Sequence, residues 1–351
     1  MAYVDLRSDT VTRPTAAMRR AMADAEVGDD HFGEDPTVRL LQEETAAILG
    51  KESALFVPSG SMGNQIAIGV QTRRGDRVLL HERSHVAYSE EAALTSFLGL
   101  ELLPVVGDAG RLEPESIAAA LDSSAREGSG RVGLVELENS HNWAGGAVYD
   151  VERLRRAAQP ARERGLPVHL DGARLWNASA ATGSPVAELA RVADTVMVCY
   201  SKGLGAPVGS AIAGPTGLIG EARKLRKHFG GGMRQAGILA AGALHGMRHH
   251  RDRLVDDHAR ARRLAEALAQ VPGLTIDPKT VTTNIVIVEV TPHERVEELA
   301  ARTAKAGVRL LVFGGPGRFR AATHLDVDDA AIDCAIDVIG QAARELGLGR
   351  A

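Results

Sequence analysis

The chain has 351 residues, a formal net charge of −4 and 44% hydrophobic residues, a composition typical of globular proteins. The negative charge argues against a general binder of polyanions, and two cysteines, Cys199 and Cys334, are too few for a disulfide framework. The sequence has no apolar run of the roughly 20 residues that a membrane helix needs, and its first residues lack an apolar signal core. We therefore expect a cytoplasmic protein without membrane contact, and the length favours two domains.

Short apolar runs alternate with longer helical segments over the first two thirds of the chain. The segment 36–50 is the clearest helix, because Pro36 suits a first turn, Gly50 suits an end, and apolar residues recur on one face. Further helices are predicted at 15–24, 61–71, 113–126 and 150–164, and strands at 54–60, 77–81, 100–106, 132–138, 167–171, 194–200 and 209–214. This alternation predicts an α/β fold with a mainly parallel sheet and helices on both faces.

The last third of the chain has a different pattern. One long helical stretch is predicted from about residue 234, and short strands and helices follow it. The strands are expected near 274–277, 283–290, 308–312 and 319–324, and the helices at 294–305 and 328–346. We therefore predict a large domain over 1–245, which includes an N-terminal arm, and a smaller α+β domain over 246–351.

Polar residues follow the predicted strands at the points where those strands end. Ser59, Gly60 and Ser61 follow the first strand and open a helix, whose N-terminus suits a phosphate. Later strand ends carry His85, the segment NSHN at 139–142, the segment DGAR at 171–174 and the segment SKG at 201–203. Because ligands of such sheets bind beyond the carboxyl ends of the strands, we predict one active site at this edge.

The residue types at this edge suit pyridoxal 5'-phosphate. That cofactor needs a lysine amine for its aldehyde, a carboxylate for its ring nitrogen, a cradle for its phosphate and a flat group on its ring. Lys202, Asp171, the turn at 59–61 and His85 supply these four groups. Lys202 directly follows a buried strand, where a desolvated amine loses its proton more readily and becomes nucleophilic.

Eight stretches of the chain together resemble one known family, the threonine aldolase/β-eliminating lyase family, and within it the low-specificity L-threonine aldolases. They are DLRSDTVTRPT (5–15), VGDDHFGEDPTV (27–38), VPSGSMGNQ (57–65), LENSHNWAGGAV (137–148), HLDGARLWNA (169–178), SKGLGAPVGS (201–210), GGGMRQAGILAAG (230–242) and THLDV (323–327). The resemblance implies an aspartate aminotransferase-like enzyme of fold type I. It implies a mostly parallel seven-stranded sheet in the large domain, a small C-terminal α+β domain, and active sites shared between subunits of a homodimer or homotetramer.

The resemblance also implies roles for individual residues. Lys202, His85 and Asp171 would be catalytic, with Lys202 bound to the cofactor, Asp171 paired with its ring nitrogen and His85 stacked on its ring. The cofactor-binding residues would be Gly60, Ser61, His85, Asp171, Arg174, Lys202 and, from a neighbouring subunit, Arg234. The substrate-binding residues would be Ser8, His85, Arg174, Lys227 and Arg320, and the planar fork of Arg174 suits bidentate binding of a carboxylate.

The implied reaction is retro-aldol cleavage of L-threonine, L-allo-threonine or a related L-β-hydroxy-α-amino acid to glycine and an aldehyde. His85 would take the hydroxyl proton, since the pKa of histidine lies near working pH. The alternatives are a β-eliminating lyase and an aldolase for another β-hydroxy amino acid such as phenylserine. The sequence departs from the family pattern at three places: Ser61 stands for threonine, Phe32 stands for tyrosine, and the glycines after Glu90 are absent. The absence of these glycines bears on substrate range.

A nucleic-acid-binding function is the main reading outside enzyme chemistry. The segments 221–234 and 245–253 are basic, but they lack the interleaved aromatic residues that stack on bases, so we interpret them as solvated helix faces. No histidine or cysteine spacing matches a zinc motif. We predict a small-molecule amino-acid substrate, no nucleic-acid partner and no catalytic metal.

Overall fold

The computed structural model describes residues 3–126 and 130–349. Its strands are β1 Val4–Asp5, β2 Ser53–Val57, β3 Arg77–His81, β4 Glu101–Val105, β5 Val132–Glu138, β6 Val168–Gly172, β7 Thr195–Cys199, β8 Ser210–Gly214, β9 Leu274–Thr275, β10 Ile285–Val290, β11 Val308–Arg309, β12 Leu311–Val312 and β13 Arg318–Ala322. Its α-helices are α1 Ala16–Ala23, α2 Pro36–Leu49, α3 Gly60–Gly69, α4 His85–Ser89, α5 Glu91–Ser96, α6 Pro114–Arg126, α7 Val151–Glu163, α8 Leu175–Thr182, α9 Val186–Arg191, α10 Thr216–His228, α11 Gly237–His249, α12 Leu254–Leu268, α13 Val296–Lys305 and α14 Asp329–Glu345.

The large sheet confirms the predicted α/β class. Within the described residues it has seven strands in the order β2-β8-β7-β6-β5-β3-β4. β8 runs antiparallel to β2 and β7, and the remaining neighbours are parallel. The inner strands are continuous runs of buried residues, since hydrophobic clusters pack on both faces of the sheet.

Helix α2 shows how local sequence sets the bounds of an element. The Asp35 carboxylate caps it by accepting a hydrogen bond from the Val38 N–H at 2.9 Å. Pro36 begins the helix and Gly50 ends it with a φ of 62°, a left-handed conformation that glycine adopts without strain. The apolar face predicted for this helix is buried at Val38, Leu41 and Leu49, and Ile48 beside them is half-buried.

A second sheet lies in the last third of the chain. It is antiparallel, in the order β12-β13-β10-β9, and packs with α12, α13 and α14 around its own hydrophobic cluster. The N-terminal segment joins this unit, because β1 pairs with β11 and Leu6 is buried in the same cluster. This attachment carries Ser8 and Asp9 to the edge of the large sheet, and β13 carries Arg320.

Two elements of this region differ from the prediction. The single long helix from residue 234 is wrong, since α11 ends at His249 and α12 begins at Leu254. The two helices pack on different cores: Met247 of α11 joins the large cluster, and Leu264 of α12 joins the small one. The run at 308–312 is also two strands rather than one, because its halves pair with β1 and β13.

The predicted domain boundary at 245/246 lies within α11. Since α11 packs on α1 and α2 while α12 packs on α14 and β10, we propose residues 250–253 as the place where the chain passes between the two units. The division into a large and a small domain stays a prediction that unfolding of the separate parts would test.

Candidate active site

The parallel strands β2, β3, β5, β6 and β7 end at one edge of the large sheet, and a cavity of about 390 Å³ lies there. Its walls come from segments that follow different strands. The polar residues among them include Ser59, Ser61, Asn64, His85, Glu90, Ser201 and Lys202. The fold therefore brings together residues that are more than 140 positions apart in the sequence.

Lys202 lies in the turn after β7, where its carbonyl accepts a hydrogen bond from the Gly205 N–H at 2.8 Å. The lysine is half-buried in the cavity wall. Its positive charge acts to lower the pKa of Asp9, His85 and Glu90, so it lies within electrostatic reach of all three. The amine is thus placed among polar groups and not in bulk solvent.

Asp171 is fully buried beneath the cavity and is held by two hydrogen bonds. Its Oδ1 accepts the Ala173 N–H and its Oδ2 accepts the Asn64 side-chain amide, both at 2.9 Å. His169 supports Asn64 from behind, at 3.1 Å from the Asn64 Oδ1. Burial lowers the pKa of His169 to about 4, so its ring is neutral and does not offset the negative charge of Asp171.

His85 and Glu90 form the polar wall facing these groups. The His85 Nε2 lies 3.4 Å from the Glu90 Oε1. Burial, and then the Asp171 charge, raise the pKa of Glu90 to about 8, and burial lowers the pKa of His85. Both groups are therefore uncharged near neutral pH, with a proton on Glu90. Glu90 Oε2 is buried and has no hydrogen-bond partner among the described residues.

The N-terminus of α3 forms the remaining wall. Ser59 caps this helix by accepting the Met62 N–H at 3.2 Å, and Gly60 and Ser61 follow in its first turn. A Cβ added to Gly60 would lie 2.9 Å from the Cys199 Sγ, too close for a side chain. Glycine is therefore required for the helix end to lie this near β7, and its backbone N–H groups suit an anion.

Two arginines converge beside the cavity. The Arg174 Nε and Nη2 each donate to the Asp9 carboxylate at 2.7 Å, in a buried ion pair that lowers the pKa of Asp9 despite its burial. The Asn142 Oδ1 accepts from Arg174 Nη1 at 3.1 Å and from Arg320 Nη1 at 2.9 Å. Burial and the Arg174 charge lower the pKa of Arg320 to about 10, so it stays charged at neutral pH. The two arginines thus share the neutral Asn142 amide oxygen, and only Arg174 is paired with a carboxylate, which leaves the charge of Arg320 without an ion-pair partner in the described residues.

Part of the Arg174 guanidinium is already engaged by the protein. Asp9 occupies its Nε–Nη2 edge, and the bidentate binding of a substrate carboxylate by Arg174 stays a prediction. Arg320 uses fewer of its donors than Arg174, since the Arg320 Nε is buried without a hydrogen-bond partner in the described part of the chain.

Three further predicted residues do not line the cavity, although Ser8 contacts Thr10 of its wall. Ser8 caps the 3-10 turn Asp9–Val11, where its Oγ accepts the Thr10 N–H at 3.3 Å. Lys227 is exposed on α10, and the Arg234 side chain is 62% exposed and contacts Asp29 at 3.3 Å. A single chain does not bring Lys227 and Arg234 to the site.

The structure places four residues at the site to which the sequence analysis gives no individual role: Asp9, Asn64, Glu138 and Asn142, the last of which lies in the predicted segment 139–142. The place of Asn64 at the site could have been inferred from the sequence, because Asn64 lies one helical turn after Gly60 and therefore on the same face of α3. The contacts of Asp9 and Asn142 join segments distant in the sequence, and no spacing indicates them.

The part of the chain that the structure describes shows neither a metal-binding cluster nor a membrane-spanning helix. In residues 3–126 and 130–349, no three or more His, Cys, Asp or Glu side chains are grouped to hold a metal ion. No helix in the same residues combines the length and apolar character that a bilayer crossing needs.

Comparison with known proteins agrees with this geometry. The model of the beta-eliminating lyase family matches residues 5–291. Low-specificity L-threonine aldolase 1 of Arabidopsis thaliana is 41% identical over 347 residues, covering 97% of each chain. The low specificity L-threonine aldolase of Escherichia coli K12 is 38% identical over 326 residues, covering 92% of this chain and 94% of that protein.

Solved structures agree in fold. The threonine aldolase of Leishmania major superposes with a TM-score of 0.78 at 20% identity, covering 96% of this chain and 99% of that one. Serine palmitoyltransferase of Sphingomonas wittichii superposes with a TM-score of 0.77 at 18% identity, covering 98% and 88%. With the family model matched over most of its length, the chain belongs to the beta-eliminating lyase family.

Proposed function

We propose that the chain is a pyridoxal-phosphate-dependent lyase that cleaves L-threonine, L-allo-threonine or related L-β-hydroxy-α-amino acids to glycine and an aldehyde. The observation that carries this proposal is the cavity at the sheet edge, where Lys202, His85 and the N-terminus of α3 face one another above the buried Asp171. The names of the relatives support the substrate class, since two of them at about 40% identity are low-specificity L-threonine aldolases.

The residues present fit pyridoxal phosphate. The α3 N-terminus, which a side chain at Gly60 would fill, suits the phosphate, and Asp171 suits a protonated ring nitrogen. Lys202 in the cavity wall suits the aldehyde carbon. When bound, the cofactor supplies an electron sink for the negative charge left at Cα once the Cα–Cβ bond breaks.

Side chains of the protein supply the proton acceptor, a hydrogen-bond donor and the charges that bind the substrate. His85, kept neutral by burial, is in the state that can accept the proton of the substrate hydroxyl. Glu90 holds its own proton near neutral pH, so it can donate a hydrogen bond without adding a second negative charge beside Asp171. Arg320 and Arg174 provide the positive charge for the substrate carboxylate, which fixes the amino acid in one orientation.

We also propose that the active site is completed in a homodimer or homotetramer. Arg234 and Lys227, exposed in one chain, would reach the site of a neighbour. Apolar side chains near Arg234 support this, since Phe32 is 71% exposed and Ile238 46% exposed, and the Asp30 N–H bonds the Arg234 carbonyl beside them. We expect light scattering to give the mass of at least two chains, and the mass of one chain would contradict the proposal.

The two free cysteines are consistent with a cytoplasmic location.

An aromatic row favours a second substrate class, β-hydroxy amino acids with an aromatic side chain. We define the row as Tyr88, Trp143 and Phe313, whose ring centroids are 4.5 and 4.8 Å apart. The Arg320 guanidinium lies 4.8 Å from the Phe313 ring, and Trp143 directly follows Asn142. The row therefore borders the proposed carboxylate site, where a phenylserine-type ring would find stacking partners.

The experiment that tests the function is a panel of L-threonine, L-allo-threonine, phenylserine and L-serine, with every product identified. We expect glycine and an aldehyde in equal amounts, and about a tenfold higher kcat/KM for phenylserine than for threonine if the aromatic row contacts the substrate. Ammonia and a keto acid as main products would instead make the chain a β-eliminating lyase. Absence of any cleavage by protein loaded with pyridoxal phosphate would overturn the proposal.

A further inference from the structure

Glu138 is the last residue of β5, and its carboxylate is buried between two loops at the sheet edge. The Oε2 accepts the backbone N–H of His85 at 2.8 Å, and the Oε1 accepts the backbone N–H of Asn142 at 2.7 Å. A single side chain thus holds the segment that follows β3 and the segment that follows its own strand. Burial and the Asp171 charge raise the pKa of Glu138 to about 7, whereas the two backbone N–H groups act to lower it and so favour the ionised carboxylate that binds them.

The two residues held by Glu138 belong to different parts of the proposed machinery. His85 begins α4 and faces Glu90 across the cavity wall. Asn142 receives hydrogen bonds from both Arg174 and Arg320 through its Oδ1. The carboxylate therefore lies between the group proposed to take a proton and the pair proposed to bind the substrate carboxylate.

We propose that Glu138 is a positioning residue that fixes the distance between His85 and the Asn142–arginine cluster. This inference rests on the proposed function, because it assigns work to Glu138 only through those two partners. Shifting either loop by a fraction of an ångström would move the proton acceptor relative to a substrate anchored by its carboxylate, which lowers the rate steeply.

Glu136 provides a matched comparison on the same strand. It lies two residues before Glu138, on the same face of β5, and is equally buried, but neither of its oxygens accepts a backbone N–H. Burial, and then the charges of Asp171 and Glu138, raise the pKa of Glu136 well above its ordinary value. Glutamine has nearly the shape of glutamate, so Glu136→Gln removes no acceptor of a backbone N–H, whereas Glu138→Gln replaces one of the two oxygens that accept one.

The test compares Glu138→Gln with Glu136→Gln as holoenzymes, using the best substrate of the wild type. We expect Glu138→Gln to lower kcat/KM about tenfold or more, with kcat lower and KM higher, because one of two loops loses its acceptor. Glu136→Gln should stay within about threefold of the wild type, a change of less than one kcal/mol in barrier height. Equal kinetics for the two variants would overturn the inference.

A second background separates positioning from a general loss of structure. Asn142→Ala keeps the backbone N–H that Glu138 binds but removes the link to the arginines. In that background, Glu138→Gln should still lower kcat through His85 while adding little to KM. An equal rise of KM in both backgrounds would overturn the inference, and so would a Glu138→Gln protein that loses the cofactor's visible absorbance and melts early.

The wild type is measured first, so that failures of the two proposals can be told apart. A wild type that cleaves no amino acid refutes the proposed function. A wild type that is active, with Glu138→Gln indistinguishable from Glu136→Gln, refutes the role of Glu138 alone.

Discussion

Replacing Lys202 by alanine should abolish cleavage and remove the visible absorbance of the protein-bound cofactor. The expected loss in kcat is about a thousandfold or more, the scale seen when a nucleophile of covalent catalysis is removed. The physical reason is position: Lys202 is held by the turn after the buried strand β7, half-buried and facing the cavity. The measurement is an absorbance spectrum of the purified variant with added pyridoxal phosphate, followed by turnover.

Lys224→Ala is the control for this experiment. Lys224 is exposed on α10 and pairs with Glu221 on the same helix, so its loss should change neither spectrum nor turnover. A Lys202→Ala protein that keeps the visible band would show that another amine binds the cofactor, and the proposed role of Lys202 would be wrong.

The site was predictable wherever a residue directly follows a strand. A parallel sheet places the carboxyl ends of its strands at one edge, so Lys202 and His85 could be expected together from the strand pattern alone. Asp171 could be placed at the site in the same way, because it lies at the end of β6. Their chemistry could then be inferred from residue type, since a lysine and a carboxylate at one edge suit few cofactors.

The contacts that surround those residues were not predictable in the same way. Asp9 meets Arg174 across 165 positions, and Arg7 meets Arg320 across 313, because β1 attaches the N-terminal segment to the small unit. Hydrophobic periodicity reports the face of an element but not which distant element covers it. The division between α11 and α12 was missed for the same reason, since both halves keep a helical pattern while packing on different cores.

Glu136 and Glu138 are the residues for which the sequence pattern of a buried strand is the poorest guide to function. Their strand reads as a fully buried run, and carboxyl groups are rarely buried without partners. Burial raises the pKa of both carboxyls, but only Glu138 accepts backbone N–H groups from two loops. A buried acid in a core strand next to a predicted site is therefore a signal for a functional role, and the strand pattern alone does not tell which acid has it.

Asp171→Asn should keep the fold and much of the cofactor binding but lower kcat by about a hundredfold or more, as when a preorganised charge is removed from an active site. Asp171 is the buried carboxylate proposed to keep a proton on the ring nitrogen, and an amide has no negative charge to hold it there. The other buried acids have different partners, since Glu90 faces His85 and Glu138 holds the backbone of His85 and Asn142. Glu136→Gln is the control for removing a nearby buried acid whose oxygens accept no backbone N–H. Stopped-flow absorbance and steady-state turnover measure the two effects separately. Unchanged turnover in Asp171→Asn would remove Asp171 from the mechanism, whereas loss of the cofactor together with turnover would make its role one of binding.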